Sequence, residues 1–489
     1  MNEFVSHTAV GAADRAHGHP ARRAALACMA ALAVALGVGR FAFTPLLPLM
    51  LHGGALDLRQ GGWLASLNYA GYFVGAFSCA ALRIEPAKMV RACLAATVLL
   101  TLAMGVAHQF WVWAIVRFVG GAVSAWAFVF ASQWGLRRLA ELGANQWSGV
   151  IYTGPGFGIV GTGLFVGVAG GLGAAAGWIG FAVVSAVIVA LVWAEFGDRG
   201  ARVPVSARSA AHATNGPRAT PNASITPAAP TPGGNPGPSA GTNSRASDST
   251  NPGDSPNPGA STSANANASA AASPGASTNP GPNAPNAPSA AVHASPTHRT
   301  GAQQRADRFW LVLLYGIPGF GYIITATFLP VIARHALPGS AWPDMFWPML
   351  GAALVAGALL AARLPLHWDN RSLLAACYVL QAAGVALGIV WPTAPGFSLG
   401  SLLIGLPFTA ITLFAMRETR LLRGEQAAGL MGYATAAYGI GQIAGPLVAA
   451  PLAASTGSFS PSLWLAAGAL MVGAAGLVWR VVVSPRARA

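Results

Sequence analysis

The chain has 489 residues, of which 54% are hydrophobic and only 9% charged, against roughly 25% charged residues in an ordinary soluble domain. This composition excludes a soluble globular enzyme. The net charge of +14 does not indicate a nucleic-acid binder, because the 28 basic residues, all arginine except Lys88, form no aromatic-interleaved stripe.

Apolar stretches long enough to cross a hydrocarbon layer about 30 Å thick recur along the chain. In the first half they predict spans over 24–50, 60–82, 89–107, 110–132, 146–167 and 174–195. The first span contains Gly37-Val-Gly39-Arg40-Phe-Ala-Phe-Thr44-Pro45-Leu-Leu-Pro48. A guanidinium in the middle of such a helix costs about 2.5–3.5 kcal/mol on insertion, so Arg40 marks a polar cavity or a partner. The fourth span carries Arg117-Phe-Val-Gly-Gly121, and the fifth Gly154-Pro155-Gly-Phe-Gly158. Small residues at these spacings let neighbouring helices approach closely, and Pro155 removes one helical hydrogen bond. Counted along an ideal helix, Arg40 and Arg117 lie about 15 Å and about 10 Å from the same membrane face. Two cations at similar depth suggest a shared polar cavity for an anionic group. The bland alternative is that each caps backbone carbonyls or snorkels outward.

Residues 196–308 are rich in Pro, Ser, Ala, Asn, Gly and Thr. With almost nothing to bury, they are expected to be a disordered cytoplasmic linker. Six further spans follow at 309–332, 344–364, 371–391, 396–416, 426–450 and 461–483. The halves look related. A shift of 282 places Gly37 and Gly39 on Gly319 and Gly321, and Arg40 on Tyr322; a shift of 281 places Tyr152 on Tyr433 and Gly-Ile at 158–159 on Gly-Ile at 439–440. Gly445-Pro446 in the eleventh span echoes the fifth. This favours a six-plus-six duplication, an architecture of many secondary transporters. The chain divides into a tail at 1–23, bundles at 24–195 and 309–483 around the linker, and a tail at 484–489.

The arginines fall in connections on one side, which by the positive-inside rule puts both termini in the cytoplasm of a multi-pass protein in a bacterial inner membrane. No Asp or Glu lies well inside a span, so a buried-carboxylate proton relay is not visible. Polar and aromatic side chains inside spans that could line a cavity include Asn68, Tyr69, Tyr72, Tyr152, Tyr322, Thr325, Thr409, Thr412 and Gln442. Each of these is, taken alone, more often a helix-packing residue. The four cysteines read as packing residues. No phosphate loop, metal-binding motif or nucleophile elbow is present, so neither an ATP-driven pump, a cofactor nor a metal site is expected.

These residues resemble the major facilitator superfamily. Arg117-x-x-x-Gly121 is similar to its fourth-helix motif, whose Arg is associated with proton coupling, and residues 37–48 are similar to the first-helix signature of the YbfB/YjiJ-type branch. The resemblance implies an all-α fold of twelve transmembrane helices in two pseudo-symmetric bundles. In that fold helices one, four, seven and ten line the cavity, placing Arg40, Arg117, Tyr322, Thr409 and Thr412 near substrate or coupling partner. The loop after span two departs from the superfamily pattern, reading Ala81-Leu-Arg83-Ile-Glu85-Pro-Ala-Lys88 without its glycines, whereas its counterpart keeps Asp369-Asn-Arg371.

The expectation is therefore a non-enzymatic secondary transporter, a monomer in the bilayer, moving a small organic solute that is anionic or anion-bearing. A coupling proton is a partner the resemblance allows. Gly37, Gly39, Pro45, Pro48, Gly121, Gly154, Pro155, Gly158, Gly445 and Pro446 are expected to serve helix packing or gating. Two other classes are alternatives. A membrane sensor or scaffold would use the linker for docking, and a membrane-embedded glycolipid enzyme would need catalytic groups in a large loop.

Overall fold

In hydrocarbon there is no water to satisfy backbone polar groups, so an apolar chain must satisfy them within helices or a closed barrel. The computed structural model describes residues 20–197, 301–365, 367–424 and 427–484. Twelve helices run through these residues: α1 Pro20–His52, α2 Leu58–Ser78, α3 Pro86–Val106, α4 Phe110–Glu141, α5 Asn145–Leu172 and α6 Ala174–Val192 in the first half, then α7 Gly301–Ala336, α8 Pro343–Arg363, α9 Asn370–Val390, α10 Ala394–Arg423, α11 Ala427–Thr456 and α12 Ser460–Val483. Eleven are long and apolar enough to cross a membrane. The exception, α2, has 21 residues, enough for about 30 Å, but its Arg59, Gln60, Asn68 and tyrosines lower its hydropathy. It runs tightly against α4 and α11, where Asn68, Tyr69 and Tyr72 are buried against protein, while Arg59 in its first turn is exposed. Residues 198–300, with most of the expected linker, lie outside the described residues.

Several helices, among them α4, α7 and α10, are longer than the sequence suggests, α10 running to Arg423 instead of ending at 416. α4 continues to Glu141 instead of ending at 132, because its last turns carry charges that pair along the helix, Arg138 Nη1 donating to Glu141 Oε2 at 3.2 Å. α7 begins at Gly301 instead of 309, and its first turns are anchored where Asp307 pairs with Arg480 of α12.

The two halves are closed by matching devices. In the first, Arg91 at the start of α3 donates from Nε and Nη2 to the Trp193 carbonyl just past α6, at 3.2 and 3.0 Å. In the second, Arg371 at the start of α9 donates from Nη1 to the carbonyls of Arg480 and Ser484 at the end of α12, at 3.1 and 2.9 Å. Each Arg thereby donates to carbonyls at a helix end, where intrahelical donors run out. An ion pair also ties the first helix of each half to its last, Arg23 with Glu195 and Asp307 with Arg480. The partners lie within a few positions of the 281–282 shift, with their charges exchanged.

Packing divides the molecule by level. One apolar cluster draws on both halves, joining Phe41, Leu46, Leu47, Trp113 and Trp178 to Tyr322, Phe328, Trp347 and Phe397. A second, with Cys28, Leu32, Leu36, Phe128, Trp134, Ile151 and Phe196, is confined to the first half. The shared cluster lies towards the end where α1 and α7 finish. Hydrogen bonds between the halves accompany it: Thr44 Oγ1 to the Ala326 carbonyl at 3.2 Å, Tyr69 hydroxyl with Thr327 at 3.0 Å, and Trp347 Nε1 to Thr162 at 3.3 Å. Thr44 and Ala326 are equivalent under the 282 shift, so they meet where a pseudo-twofold axis must pass. Towards the end where α1 and α7 begin, the halves part.

Candidate functional site

A cavity of about 110 Å³ occupies the parting between the halves. Two other voids, each lying within one half, measure about 10 Å³, room for little more than one water. The cavity is lined by α1 (Leu36, Arg40, Phe41), the later part of α4 (Phe128), the start of α5 (Gly149, Tyr152, Pro155) and the end of α8 (Leu354, Ala358, Leu359, Ala361). Tyr322 of α7, Phe408, Thr409 and Leu413 of α10, and Gln442 of α11 complete it. Its walls are mainly apolar and aromatic, with a few polar groups converging at the deep end.

Arg40 is the cation there. It is 4% exposed, and Nη2 donates to Gln442 Oε1 at 2.9 Å. Its guanidinium lies over the rings of Tyr72 at 4.0 Å, Tyr69 at 5.2 Å and Phe41 at 5.3 Å, an attraction to electron-rich ring faces that offsets part of the cost of burial. Its Nε is buried with no hydrogen-bond partner. Among the described residues no carboxylate forms an ion pair with it.

Arg117 has a different task. Its Nη1 and Nη2 donate to the carbonyls of Gly39 and Arg40 at 3.3 and 3.2 Å. These carbonyls are available because α1 is not a regular helix at this level. Residues Ala33–Val38 are wound as a π-helix and Gly39–Ala42 form turns before the helix resumes at Phe43. Pro45 has no N–H to give, and the Thr44 N–H goes to Phe41 at 3.2 Å instead of to Arg40. Arg117 takes the place of the missing donors and does not line the main cavity. Asn68 of α2 in turn donates to the Arg117 carbonyl at 2.9 Å.

The other expected residues divide likewise. Tyr322, the counterpart of Arg40, accepts from Gln442 Nε2 at 2.5 Å and meets Phe408 edge-on at a centroid distance of 5.0 Å. Thr409 lines the cavity with its hydroxyl unpartnered. Thr412 is turned away and accepts from the Tyr315 hydroxyl at 3.1 Å. Gly37 and Gly158 bring α1 and α5 together so closely that a methyl at Gly37 would sit 2.3 Å from the Gly158 Cα. A methyl at Gly121 would sit 2.0 Å from the Asn68 carbonyl oxygen, so α4 and α2 depend on that glycine too. Gly39 lies in the turn bound by Arg117, Gly154 packs on the Met29 carbonyl, Gly445 packs on Ile323, and the Pro446 carbonyl faces Gly62 of α2. Pro45 and Pro48 are buried in the resumed part of α1, whereas Pro155 faces the cavity.

Nothing in the sequence around Gln442, one of the possible lining groups, marks it as the direct partner of Arg40. On α5, Tyr152 is among the expected lining groups and does line the cavity, whereas the contribution of α8 was missed. Tyr152 and Pro155 were visible as a polar ring and a helix breaker, but the alanine and leucine face of α8 carries no sequence signal.

Comparison with known proteins agrees with this architecture. The family described as "Uncharacterised MFS-type transporter YbfB" matches residues 32–228 and 278–478. The chain is 33% identical over 220 residues to a chloramphenicol resistance protein of Streptomyces lividans, a match covering 41% of this chain and about half, 52%, of that protein's length. The crystal structure of the nucleoside transporter NupG aligns with a TM-score of 0.57 at 12% identity, covering 94% of this chain and 98% of the other. A single-residue variant of NupG aligns with a TM-score of 0.59 at the same identity, covering 94% and 99%. The fold is thus that of the major facilitator superfamily. With its family match running through both six-helix halves, the chain belongs to the family of MFS-type transporters represented by YbfB, and it is a multi-pass membrane transporter, not an enzyme.

Proposed function

We propose that this transporter moves a small organic anion with an apolar or aromatic body, by alternating access between its two bundles. One observation carries the reading: Arg40, a buried cation without a carboxylate partner among the described residues, at the deep end of the cavity between the halves. A guanidinium offers parallel N–H groups that suit a carboxylate or phosphate, and the aromatic and aliphatic walls suit an apolar body. Arg40 contacts the solute, Tyr322 and Thr409 complete the polar end, and Arg117 holds the broken turn of α1 that presents Arg40. Thr412 acts at one remove, by fixing Tyr315.

The arrangement proposed in the cell is a monomer in the bacterial inner membrane with both termini in the cytoplasm, so that the cavity opens inward and the joined level faces outward. The bundles at 24–195 and 309–483 are the two moving bodies, and the segment between them is their tether. Coupling to a proton would run through the solute's own charge or through the buried carboxylates towards the helix ends, Asp307 of α7 and Glu418 of α10.

The test is transport of aromatic carboxylates by purified protein in liposomes, comparing wild type with Arg40→Ala. Undiminished transport by the variant would remove Arg40 from the site. A second reading, export of a neutral aromatic compound, is favoured by the largely apolar lining and by the similarity to a chloramphenicol resistance protein. Benzoate and benzamide separate the two readings. An anion site is stabilised thermally by the first and not the second, since a bound ligand raises apparent stability by mass action.

A further inference from the structure

Arg40 and Gln442 belong to different halves, and their hydrogen bond is a side-chain link between them at the deep end of the cavity. Each partner is fixed within its own half. Arg40 stands on the turn of α1 that Arg117 holds by two carbonyls. Gln442 stands on α11 where that helix presses against α7, a methyl on the neighbouring Gly441 being only 2.6 Å from the Gly316 carbonyl oxygen. Its amide is used at both ends, Oε1 accepting from Arg40 and Nε2 donating to Tyr322.

The bond leaves half of the guanidinium edge unused. Nε and Nη2 of an arginine point their N–H groups side by side. Here Nη2 is bonded to the amide oxygen, while Nε is buried and unpartnered. A carboxylate engages both donors at once with ionised oxygens, and such charge-assisted forked pairs are about twice as strong as neutral bonds. An amide offers one neutral oxygen. Gln442 is therefore a weaker, one-toothed stand-in for an anion at the place where an anion binds best.

Resting on the reading of Arg40 as an anion site, we propose that Gln442 is an internal ligand of Arg40 which the incoming anion displaces, so that filling the site releases the cross-link between the halves. The residue then does two things. It sets a threshold that a neutral solute with a single acceptor does not pass, and it ties occupancy to the freedom of the bundles to move. A ligand can shift such an equilibrium only by its differential affinity for the two states, and the exchange of a neutral for a charged partner supplies that difference.

The experiment uses the full-length protein, wild type, Gln442→Leu, Gln442→Glu and Arg40→Ala, with benzoate as probe. Nitroxide labels on Ala140→Cys and Leu421→Cys, exposed sites on α4 and α10, report the distance between halves by pulsed electron resonance. The native cysteines Cys28, Cys79, Cys93 and Cys377 are buried, so labelling is directed to the new sites. Gln442→Leu keeps the side-chain volume and removes the competitor. Its thermal stabilisation by benzoate should half-saturate at about a tenfold lower concentration than in wild type. Gln442→Glu supplies a permanent carboxylate and should show no stabilisation, as should Arg40→Ala. Without ligand, the distance distribution should broaden in Gln442→Leu and narrow in Gln442→Glu. Benzoate should move wild type towards the Leu variant.

A Gln442→Leu protein that binds benzoate no more tightly than wild type overturns the proposal, as do identical unliganded distributions in all three Gln442 forms. If benzoate stabilises neither wild type nor Gln442→Leu, the anion reading falls. The cross-link is then judged by the unliganded distributions, which need no ligand.

Discussion

The two halves share a scaffold but not a chemistry. Both are six helices closed by an Arg that binds the last carbonyls and by an ion pair from first helix to last. Yet at equivalent positions one has Arg40 on a helix interrupted by a π segment and turns, and the other has Tyr322 on a helix that runs unbroken through Gly301–Ala336. The break moves to a different place in the second half, where α10 is interrupted at Leu406 between Gly405 and Pro407. The two bundles are alike in these closures. What distinguishes them is where the backbone was opened and which side chain was put there. A charge in lipid is tolerated where neighbouring groups satisfy it, and that surrounding is built around Arg40 alone of the two positions, from three aromatic rings and the turn held by Arg117 in the first half and Gln442 of the second.

The strongest way to break this contrast is to remove the charge. Arg40→Ala should weaken anion binding about a thousandfold, the order expected when one partner of a buried charge pair is deleted, measured by thermal stabilisation with benzoate. Tyr322→Phe, at the matching position, should change it by only a few-fold, because Gln442 keeps its bond to Arg40. Equal losses at both positions would make the site symmetric. Next in size is Asp307→Asn. The Asp307–Arg480 pair is 7% and 10% exposed, and breaking a buried pair leaves an uncompensated charge, a cost of about 3 kcal/mol. Unfolding in detergent should show that loss. Arg117→Ala follows. It strips two carbonyls of their donors and should cost about 2 kcal/mol, with anion binding weakened about tenfold through the loosened turn. A loss of binding as large as that of Arg40→Ala, without loss of stability, would instead put Arg117 in contact with the solute.

Much of this plan could be read before folding. The spans follow from long apolar runs, and Arg40 stands out because a single charge in such a run is conspicuous. Its counterpart by sequence shift, Tyr322, lies on the same cavity and bonds to the same Gln442. What stayed hidden depends on helix rotation and on contacts between halves. Thr409 and Thr412 are three residues apart and look interchangeable, but α10 turns one to the cavity and the other to Tyr315. Arg117 could equally have faced a solute or capped carbonyls, and the choice was made by a helix break that only Pro45 and the glycines hinted at. The bond from Arg40 to Gln442 spans 402 positions, and nothing local in either segment announces it.

Smaller effects sharpen the likeness of the scaffolds. Gly37→Ala forces a methyl against the Gly158 backbone and should cost about 1–2 kcal/mol by overpacking. Its counterpart Gly319→Ala, where the added methyl would lie 2.2 Å from the Tyr438 carbonyl oxygen, should cost about the same, because both glycines serve the crossing of a first helix over a fifth. The smallest change is expected at Glu195→Gln. Its partner Arg23 is 72% exposed and Glu195 itself 22%, so water already solvates the charge that would be left behind, and exposed pairs contribute up to about 1 kcal/mol. Salt should separate the two closures as well. Raising ionic strength screens an exposed pair far more than a buried one, so the effect of Glu195→Gln should vanish at high salt while that of Asp307→Asn persists. If both faded together, the two pairs would be equally solvated, and the exchange of charge between the halves would have left their energetics the same.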